Sequence, residues 1–333
     1  MIPMCNVLKK WCFLLSLPIA LFADKAVVPV APQLEWEAPW FTGPLLASSP
    51  TVVPLGHFAF EGYVTYLNNP ARYDNDWKVV DVETFQQVVF QPFFWIGIAP
   101  WADLQLVPQW SWNYREGPAH WDLNDFTAKL EFQLYRDQIP NKNWLPSLKL
   151  GIQETFPTGK YRNLNPKKLF TDQGGMGAWT TTFQFSMGKI FHIHKEQWLQ
   201  ARLNFNYALS APVHVTGLNA YGGGVGTNGT VRPGGDFYFD YAFEYSLTRN
   251  WALACDFVGD FRGSDHFSGK PGFNEDGSTV IVERQASIQW SMAPAIEYNW
   301  NESLGIIAGS WFTLAGKNSN KFYTCTIALN YYK

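Results

Sequence analysis

The chain has 333 residues, of which 47% are hydrophobic, 17% aromatic and only 16% charged, and its formal net charge is -3. The charged fraction is low for a soluble enzyme, where about a quarter of the residues are charged. The charge balance provides no excess of positive charge for nucleic acid, which excludes a nucleic-acid partner. After the N-terminus no run of about 20 apolar residues occurs, which excludes a helical membrane protein.

The first 23 residues have the pattern of a secretory signal peptide. Lys9 and Lys10 precede an apolar stretch at 11–22, which is too short to cross a bilayer, and Ala23 is the expected cleavage position. An uncleaved anchor is the alternative reading of the same residues.

Residues 24–56 are rich in proline and do not alternate as a strand would. They include Trp36, Trp40 and Phe41, whose apolar surface is unusual for an inert linker. We therefore expect a periplasmic N-terminal segment that folds into or across the mouth of a barrel as a hatch.

From residue 57 to residue 333 the chain alternates apolar and polar residues, as the segment 104–114 shows best. Successive strand side chains point to opposite faces, so each segment has one apolar and one polar face. The segments run about 10 residues or more, which suits a tilted strand that crosses a bilayer, whereas soluble strands usually run about 5–6. The predicted strands are 57–66, 85–98, 104–114, 123–136, 147–156, 177–189, 199–210, 237–247, 251–261, 286–300, 304–313 and 322–332.

The connections between these segments alternate between long and tight. The long set lies near 67–84, 115–122, 157–176, 211–236, 262–285 and 314–321. Bacterial outer-membrane barrels have an even number of strands, long extracellular loops and short periplasmic turns. The pattern therefore predicts an all-β, transmembrane antiparallel β-barrel of about 12 strands in the outer membrane of a Gram-negative cell, with both termini in the periplasm and the lipid bilayer as its partner.

Tryptophans add a prediction about the membrane interfaces, where the indole ring is apolar and its N–H stays hydrated. Those expected at the periplasmic interface are Trp95, Trp101, Trp144, Trp198, Trp251 and Trp300. Those expected at the extracellular interface are Trp110, Trp112, Trp121, Trp179 and Trp311.

The polar face carries more carboxylates than cations. The residues predicted to line the lumen are Glu61, Lys129, Glu131, Lys149, Arg202, Asp240, Glu244, Asp256, Asp260 and Glu297, and Asp125 has the same parity. Ion pairs would use the three cations and leave about five carboxylates, which predicts a modest cation preference unless loop or N-terminal cations reach them. Glu154 falls on the lipid parity, so we expect its strand to end before it or a bulge to reset the register.

Few residues suggest catalysis or metal binding. His266 and Ser268 have a spacing that could serve a hydrolytic pair, but they lie in a loop rich in glycine and proline. His192 and His194 lack further metal ligands nearby. The sequence therefore predicts no enzyme, no cofactor and no metal site.

Four short motifs, spread over most of the chain, carry a resemblance to a known family. They are Trp40 to Pro44, Glu154 to Tyr161, Asn204 to Tyr207 and Asn250 to Leu253. With them the chain resembles a family of outer-membrane β-barrels grouped under the meta-pathway of phenol degradation. The resemblance implies porin-like transport of small, hydrophobic compounds across the outer membrane and supplies no catalytic residues.

The C-terminal end resembles the signal that the outer-membrane assembly machinery reads, which makes that machinery an expected partner. Tyr323, Ile327, Leu329 and Tyr331 share one face, although Lys333 rather than an aromatic residue is last. The expected function is passive passage of small solutes, with hydrophobic or cationic compounds as candidates. The alternatives are a lipid-modifying hydrolase and a structural or adhesive barrel that acts through its loops.

Overall fold

The computed structural model describes residues 38–137, 144–274 and 276–333, so the predicted signal peptide, 1–23, lies outside the described residues. Its strands are β1 (Phe58–Tyr73), β2 (Val79–Ala99), β3 (Ala102–Val107), β4 (Trp110–Tyr114), β5 (Ala119–Leu123), β6 (Phe126–Tyr135), β7 (Ser147–Phe156), β8 (Thr180–His194), β9 (Gln197–Ser210), β10 (Val213–Thr216), β11 (Asn228–Arg232), β12 (Asp236–Ser246), β13 (Trp251–Arg262), β14 (His266–Lys270), β15 (Ser287–Asn301), β16 (Leu304–Gly309), β17 (Phe312–Lys317) and β18 (Ser319–Tyr332). A 3-10 helix spans Pro166–Lys168. None of the helices in the described ranges is long and apolar enough to cross a membrane.

The large sheet closes on itself, because β1 pairs with β2 on one side and with the last strand, β18, on the other. All pairings around it are antiparallel. The segments β3 and β4, β5 and β6, and β16 and β17 each share one barrel strand, which makes twelve strands in the barrel. Pro108, which has no N–H to donate, lies at the first of these interruptions. The predicted fold class is confirmed, and each of the twelve predicted segments overlaps one barrel strand.

Three of the predicted extracellular loops are shorter than expected, and the prediction for 67–84 is wrong. The strands β1 and β2 continue to a five-residue connection at 74–78, where Asp74 accepts hydrogen bonds from the backbone N–H groups of Asp76 and Lys78 at 2.8 and 2.9 Å. β2 has 21 residues, about twice the number that a tilted strand needs to cross a bilayer. The β1–β2 hairpin therefore projects beyond the membrane, and a bulge at 69–71 accommodates Pro70.

The outer face of the barrel is apolar. Large exposed side chains on it include Phe90, Ile96, Leu130, Ile152, Phe183, Tyr241, Leu253, Phe257, Ile296 and Leu329. A water-soluble protein rarely exposes so large a continuous apolar surface, whereas lipid requires one. Glu154 also lies within its strand, without a register shift, and accepts a hydrogen bond from the Thr181 hydroxyl at 2.6 Å. The expected strand end or bulge at Glu154 is therefore wrong.

Most of the tryptophans expected at the membrane interfaces are exposed on the outer face, and three are turned inward. Trp101, Trp144, Trp251 and Trp300 are exposed near the short turns, and Trp110, Trp112, Trp121 and Trp179 are exposed near the other end. Trp95, Trp198 and Trp311 instead face the interior, where Trp198 is only 1% exposed. These three residues lie on the inward-facing parity of their strands. Neighbouring strand residues face opposite sides of the barrel wall near the ends of the strands as well.

Three long loops pack together outside the barrel. Two of them, 211–235 and 263–286, contribute the strands β10, β11 and β14, which form a separate antiparallel sheet. Buried apolar residues from all three loops form its core: Ala178, Val213, Val215, Tyr221, Val231, Val280 and Val282. These loops are therefore a folded layer rather than independent excursions.

Candidate functional site

The barrel interior contains a chamber of about 1000 Å³. Neutral polar side chains line much of it: Thr65, Gln87, Gln91, Gln105, Gln109, Thr127, Gln153, Thr182, Gln184 and Asn206. Except for Gln109, which lies between β3 and β4, they belong to strands β1, β2, β3, β6, β7, β8 and β9, whose alternation turns every second residue inward. A chamber with this lining can hold water and small solutes that form hydrogen bonds.

The predicted cations are all bound to carboxylates on the inner wall. Glu131 lies 3.0 Å from the ammonium of Lys129 and 2.8 Å from that of Lys149, and all three side chains are buried. Arg202 lies 3.0 Å from Glu244. Lys129 and Glu131 are two residues apart on β6, whereas Lys149 and Arg202 meet their carboxylates across adjacent strands, so the pairing of these two cations depends on the barrel register.

The remaining predicted lumen residues have different surroundings. Glu61 lines the chamber, and Asp240 is fully buried on the inner face of β12. Asp260 lies on the inner parity of β13, opposite Tyr238. The last two, Asp256 and Glu297, contact the N-terminal segment rather than a side chain of opposite charge.

Residues 40–54, called the hatch below, lie against the inner wall. The Asp256 carboxylate accepts three backbone hydrogen bonds, from Leu45 at 3.0 Å, Leu46 at 3.3 Å and Ala47 at 3.0 Å. Glu297 accepts one from Thr42 at 2.9 Å. Hydrogen bonds to a charged group contribute about 1.5–3 kcal/mol each, so Asp256 is the strongest single attachment of the hatch.

The second half of the hatch is attached to the opposite wall. Val53 donates its backbone N–H to Asp103 at 2.7 Å, and Val52 donates to the Gln133 side chain at 2.9 Å. Arg136 donates to the Val52 carbonyl at 2.6 Å. The hatch is therefore bound on both sides of the barrel, through its backbone more than its side chains.

Two glycines on the wall leave room for the hatch, Gly97 for its backbone and Gly188 for the ring of Pro50. A Cβ atom on Gly97 would lie 1.9 Å from the Pro54 carbonyl oxygen, and one on Gly188 would lie 2.6 Å from Pro50 Cγ. Any other residue at Gly97 would displace the end of the hatch.

At the end of the barrel that carries the long loops, the loop 157–179 packs over the inner wall. Asn113, which faces inward, donates to the Thr171 carbonyl at 2.9 Å. Asp125 accepts backbone hydrogen bonds from Gly159 and Met176, both at 2.9 Å, so it anchors this loop and does not line an open lumen. These contacts hold the loop against the inner wall at this end of the barrel.

An ion pair inside this loop joins Lys160 to Asp172. Burial raises the pKa of Asp172, but the hydrogen bonds from Lys160 and from the backbone N–H of Asn165 outweigh it, so this pKa lies below its ordinary value. The carboxylate thus remains ionised well into the acidic range.

The other candidate residues remain apart from the chamber. His266 and Ser268 are exposed on β14 in the loop sheet, opposite Arg232 and Thr230. His192 stacks on the Trp198 ring with the ring centroids 4.4 Å apart. Among the residues that the structure describes, no group of three metal-ligating side chains is present.

Sequence reasoning missed several hatch anchors, above all Asp103, Gln133, Arg136 and Asn299. The predicted strand 104–114 begins two residues too late, because β3 begins at Ala102. Asp103 lies in these two residues, so it was not recognised as an inward-facing residue. Asn299 donates to the Trp40 carbonyl at 2.5 Å, a role that alternation alone does not reveal.

No family model matches the chain, and no curated protein matches it. An outer membrane channel from Pseudomonas putida F1 has a similar structure, with a TM-score of 0.65 and 13% sequence identity over 87% of this chain and 100% of that one. The NanC porin gives a TM-score of 0.39 at 7% identity over 82% of this chain and 98% of that one. A deletion mutant of the TodX monoaromatic hydrocarbon channel gives 0.36 at 8% over 84% and 90%.

At such identities the likeness shows the fold alone. The chain has the fold of an outer-membrane β-barrel, as the motif resemblance implied.

Proposed function

We propose that this protein is an outer-membrane channel through which small solutes pass without energy input. The observation that carries the proposal is a closed barrel with an apolar outer face and an inner chamber of about 1000 Å³ lined by polar side chains. The similar structure from Pseudomonas putida F1, which is named a channel, supports it. The outer-membrane assembly machinery would insert the barrel, guided by the apolar outward face of β18.

The hatch belongs to the same proposal as a gate at the periplasmic side. It continues directly into β1, whose first residue, Phe58, pairs with the C-terminal residue Lys333 near the short-turn end. Leu45 packs on Ala293, Ile307 and Ala328 of the wall, so part of the attachment is hydrophobic. Solutes would pass when the hatch leaves the wall, through the space that it fills.

Hatch movement also changes the charge that the path presents. With the hatch in place, Asp256, Glu297 and Asp103 accept backbone hydrogen bonds from it. Without it, these carboxylates would face water and attract cations, because a narrow passage with low-dielectric walls concentrates counter-ions. We therefore expect the channel to prefer cations when the hatch has left the wall.

Planar-bilayer recording of the purified protein tests this function. The proposal predicts discrete conductance steps that are absent when the protein is heat-denatured before addition. A folded, heat-modifiable barrel that never conducts and gives no swelling of solute-loaded proteoliposomes would contradict it and favour the structural or adhesive reading.

A further inference from the structure

The wall of the chamber formed by β1 and β2 combines one carboxylate with three aromatic rings. Glu61 pairs across the sheet with Phe93 on one side and with Asn330 on the other, so both of its cross-strand neighbours are uncharged. Tyr63 and Phe93 meet edge to face with centroids 5.3 Å apart, and Phe93 stacks on Trp95 at 5.6 Å. All four side chains line the chamber.

The basic side chains that line the same chamber already have partners. Lys129 and Lys149 contact Glu131, Arg202 contacts Glu244, and Arg136 donates to the hatch. Within the described part of the chain, Glu61 forms no ion pair at 4 Å or less, the distance at which the other pairs are found. It is thus a chamber-lining carboxylate without a direct ion pair, which accepts a hydrogen bond from the Tyr63 hydroxyl and which the charges of Arg202 and Lys129 reach only at longer range.

We infer that this wall, at Glu61, Tyr63, Phe93 and Trp95, binds small organic cations, with the ammonium group beside Glu61 and the apolar part on the rings. Aromatic faces attract cations through their quadrupole, and quaternary ammonium groups are common ligands of such sites. An anion would be repelled by the carboxylate. A plain hydrocarbon would leave Glu61 and the surrounding glutamines without polar partners, which costs free energy.

The site lies beside the hatch, because Tyr63 packs against the cluster that contains Leu45 and Trp311. A bound cation would therefore rest at the inner end of the chamber, next to the gate. This inference deepens the proposed channel function and rests on it, since it names the class of solute that would pass.

Isothermal titration calorimetry of the detergent-solubilised protein with benzyltrimethylammonium tests the site directly. Parent protein should bind this probe, and Glu61→Gln should weaken binding about tenfold or more, because a charge-assisted contact is lost. Phe93→Leu, which keeps an apolar side chain but removes the ring, should weaken it several-fold. Asp276→Asn, which removes a carboxylate from an exposed loop, is the matched control and should bind as the parent does.

Benzyl alcohol, which has the ring but no charge, should bind the parent more weakly and be insensitive to Glu61→Gln. Equal binding of the cationic probe by the parent and by a folded Glu61→Gln variant would overturn the inference. Conductance recorded with the same probe separates the two proposals. Binding of the probe by a protein that never conducts would contradict the channel. Conductance by a protein whose probe binding does not depend on Glu61 would contradict only the site.

Discussion

Single carboxylates on the barrel wall serve as acceptors for the backbone of another segment. The hatch is irregular, so its N–H groups have no strand ladder to satisfy them, and leaving them unpaired inside a barrel would cost about 1–3 kcal/mol each. Asp256 satisfies three of them with one side chain. These hydrogen bonds also stabilise the carboxylate, because a buried charge needs polar partners, which can be neutral or charged.

Replacing Asp256 by Asn should loosen the hatch. Asn keeps the shape but loses the charge, and its NH2 group would replace one acceptor oxygen and face either the N–H of Leu45 or the N–H groups of Leu46 and Ala47. We expect the open state to gain about 2 kcal/mol, roughly 30-fold in population. The measurement is the reaction rate of a cysteine at Ala47 with a small thiol reagent, because Ala47 is buried in the parent.

Asp240→Asn is the control for this experiment. It removes the same charge from the neighbouring strand, and Asp240 forms no hydrogen bond with the described part of the hatch. The cysteine should remain protected in this background. If both variants expose it equally, the effect is electrostatic, and the proposed attachment through Asp256 is wrong.

At the scale of elements, the strands and the long loops could be read from the sequence, whereas the ends of the loops and the partners of the hatch could not. Alternation with a period of two fixes which face of each strand meets lipid, so all twelve barrel segments were predicted. The same rule cannot tell where pairing stops above the membrane, which is why 67–84 was taken for a loop although β1 and β2 continue there. The hatch has no period, and its partners are distant in sequence: Leu45 and Asp256 are 211 residues apart.

The layer of packed loops should depend for its stability on its own small hydrophobic core, independently of the barrel. Val231 is fully buried in it, so Val231→Ala should destabilise the layer by about 1–3 kcal/mol. We expect faster proteolytic cleavage within 211–235 and 263–286, with unchanged heat-modifiability of the barrel.

Val225→Ala provides the matched comparison, since Val225 lies in the same loop region but is 75% exposed. Its cleavage pattern should equal that of the parent. Equal protection of all three proteins would show that the loops do not depend on this core.

For the whole molecule, the alternation of loops and turns fixes the orientation in the membrane. Cysteines at Asn228 and Gly277, on the long-loop side, should react with an impermeant thiol reagent on intact cells, and one at Glu302, in a short turn, should not. The native Cys325 is exposed on the outer face and should first be replaced by Ser. Labelling at Glu302 alone would contradict the proposed topology and indicate the opposite orientation in the membrane.

In the proposed channel, the polar chamber lies between the loop 157–179 at one end and the hatch, which covers the carboxylates of Asp256, Glu297 and Asp103, at the other. Its charge pattern therefore depends on its conformation. Removing the hatch should have two linked effects, a larger conductance and a stronger preference for cations, because one change both widens the path and exposes Asp256, Glu297 and Asp103.

The most direct test is the reversal potential of single channels in a salt gradient, compared between the parent and a variant that lacks residues 40–54. We expect the variant to conduct more and to shift the reversal potential in the cationic direction, with the shift reduced by Asp256→Asn in the same background. If the variant inserts as a heat-modifiable barrel yet has the conductance and the reversal potential of the parent, the hatch is not the gate and the account is wrong.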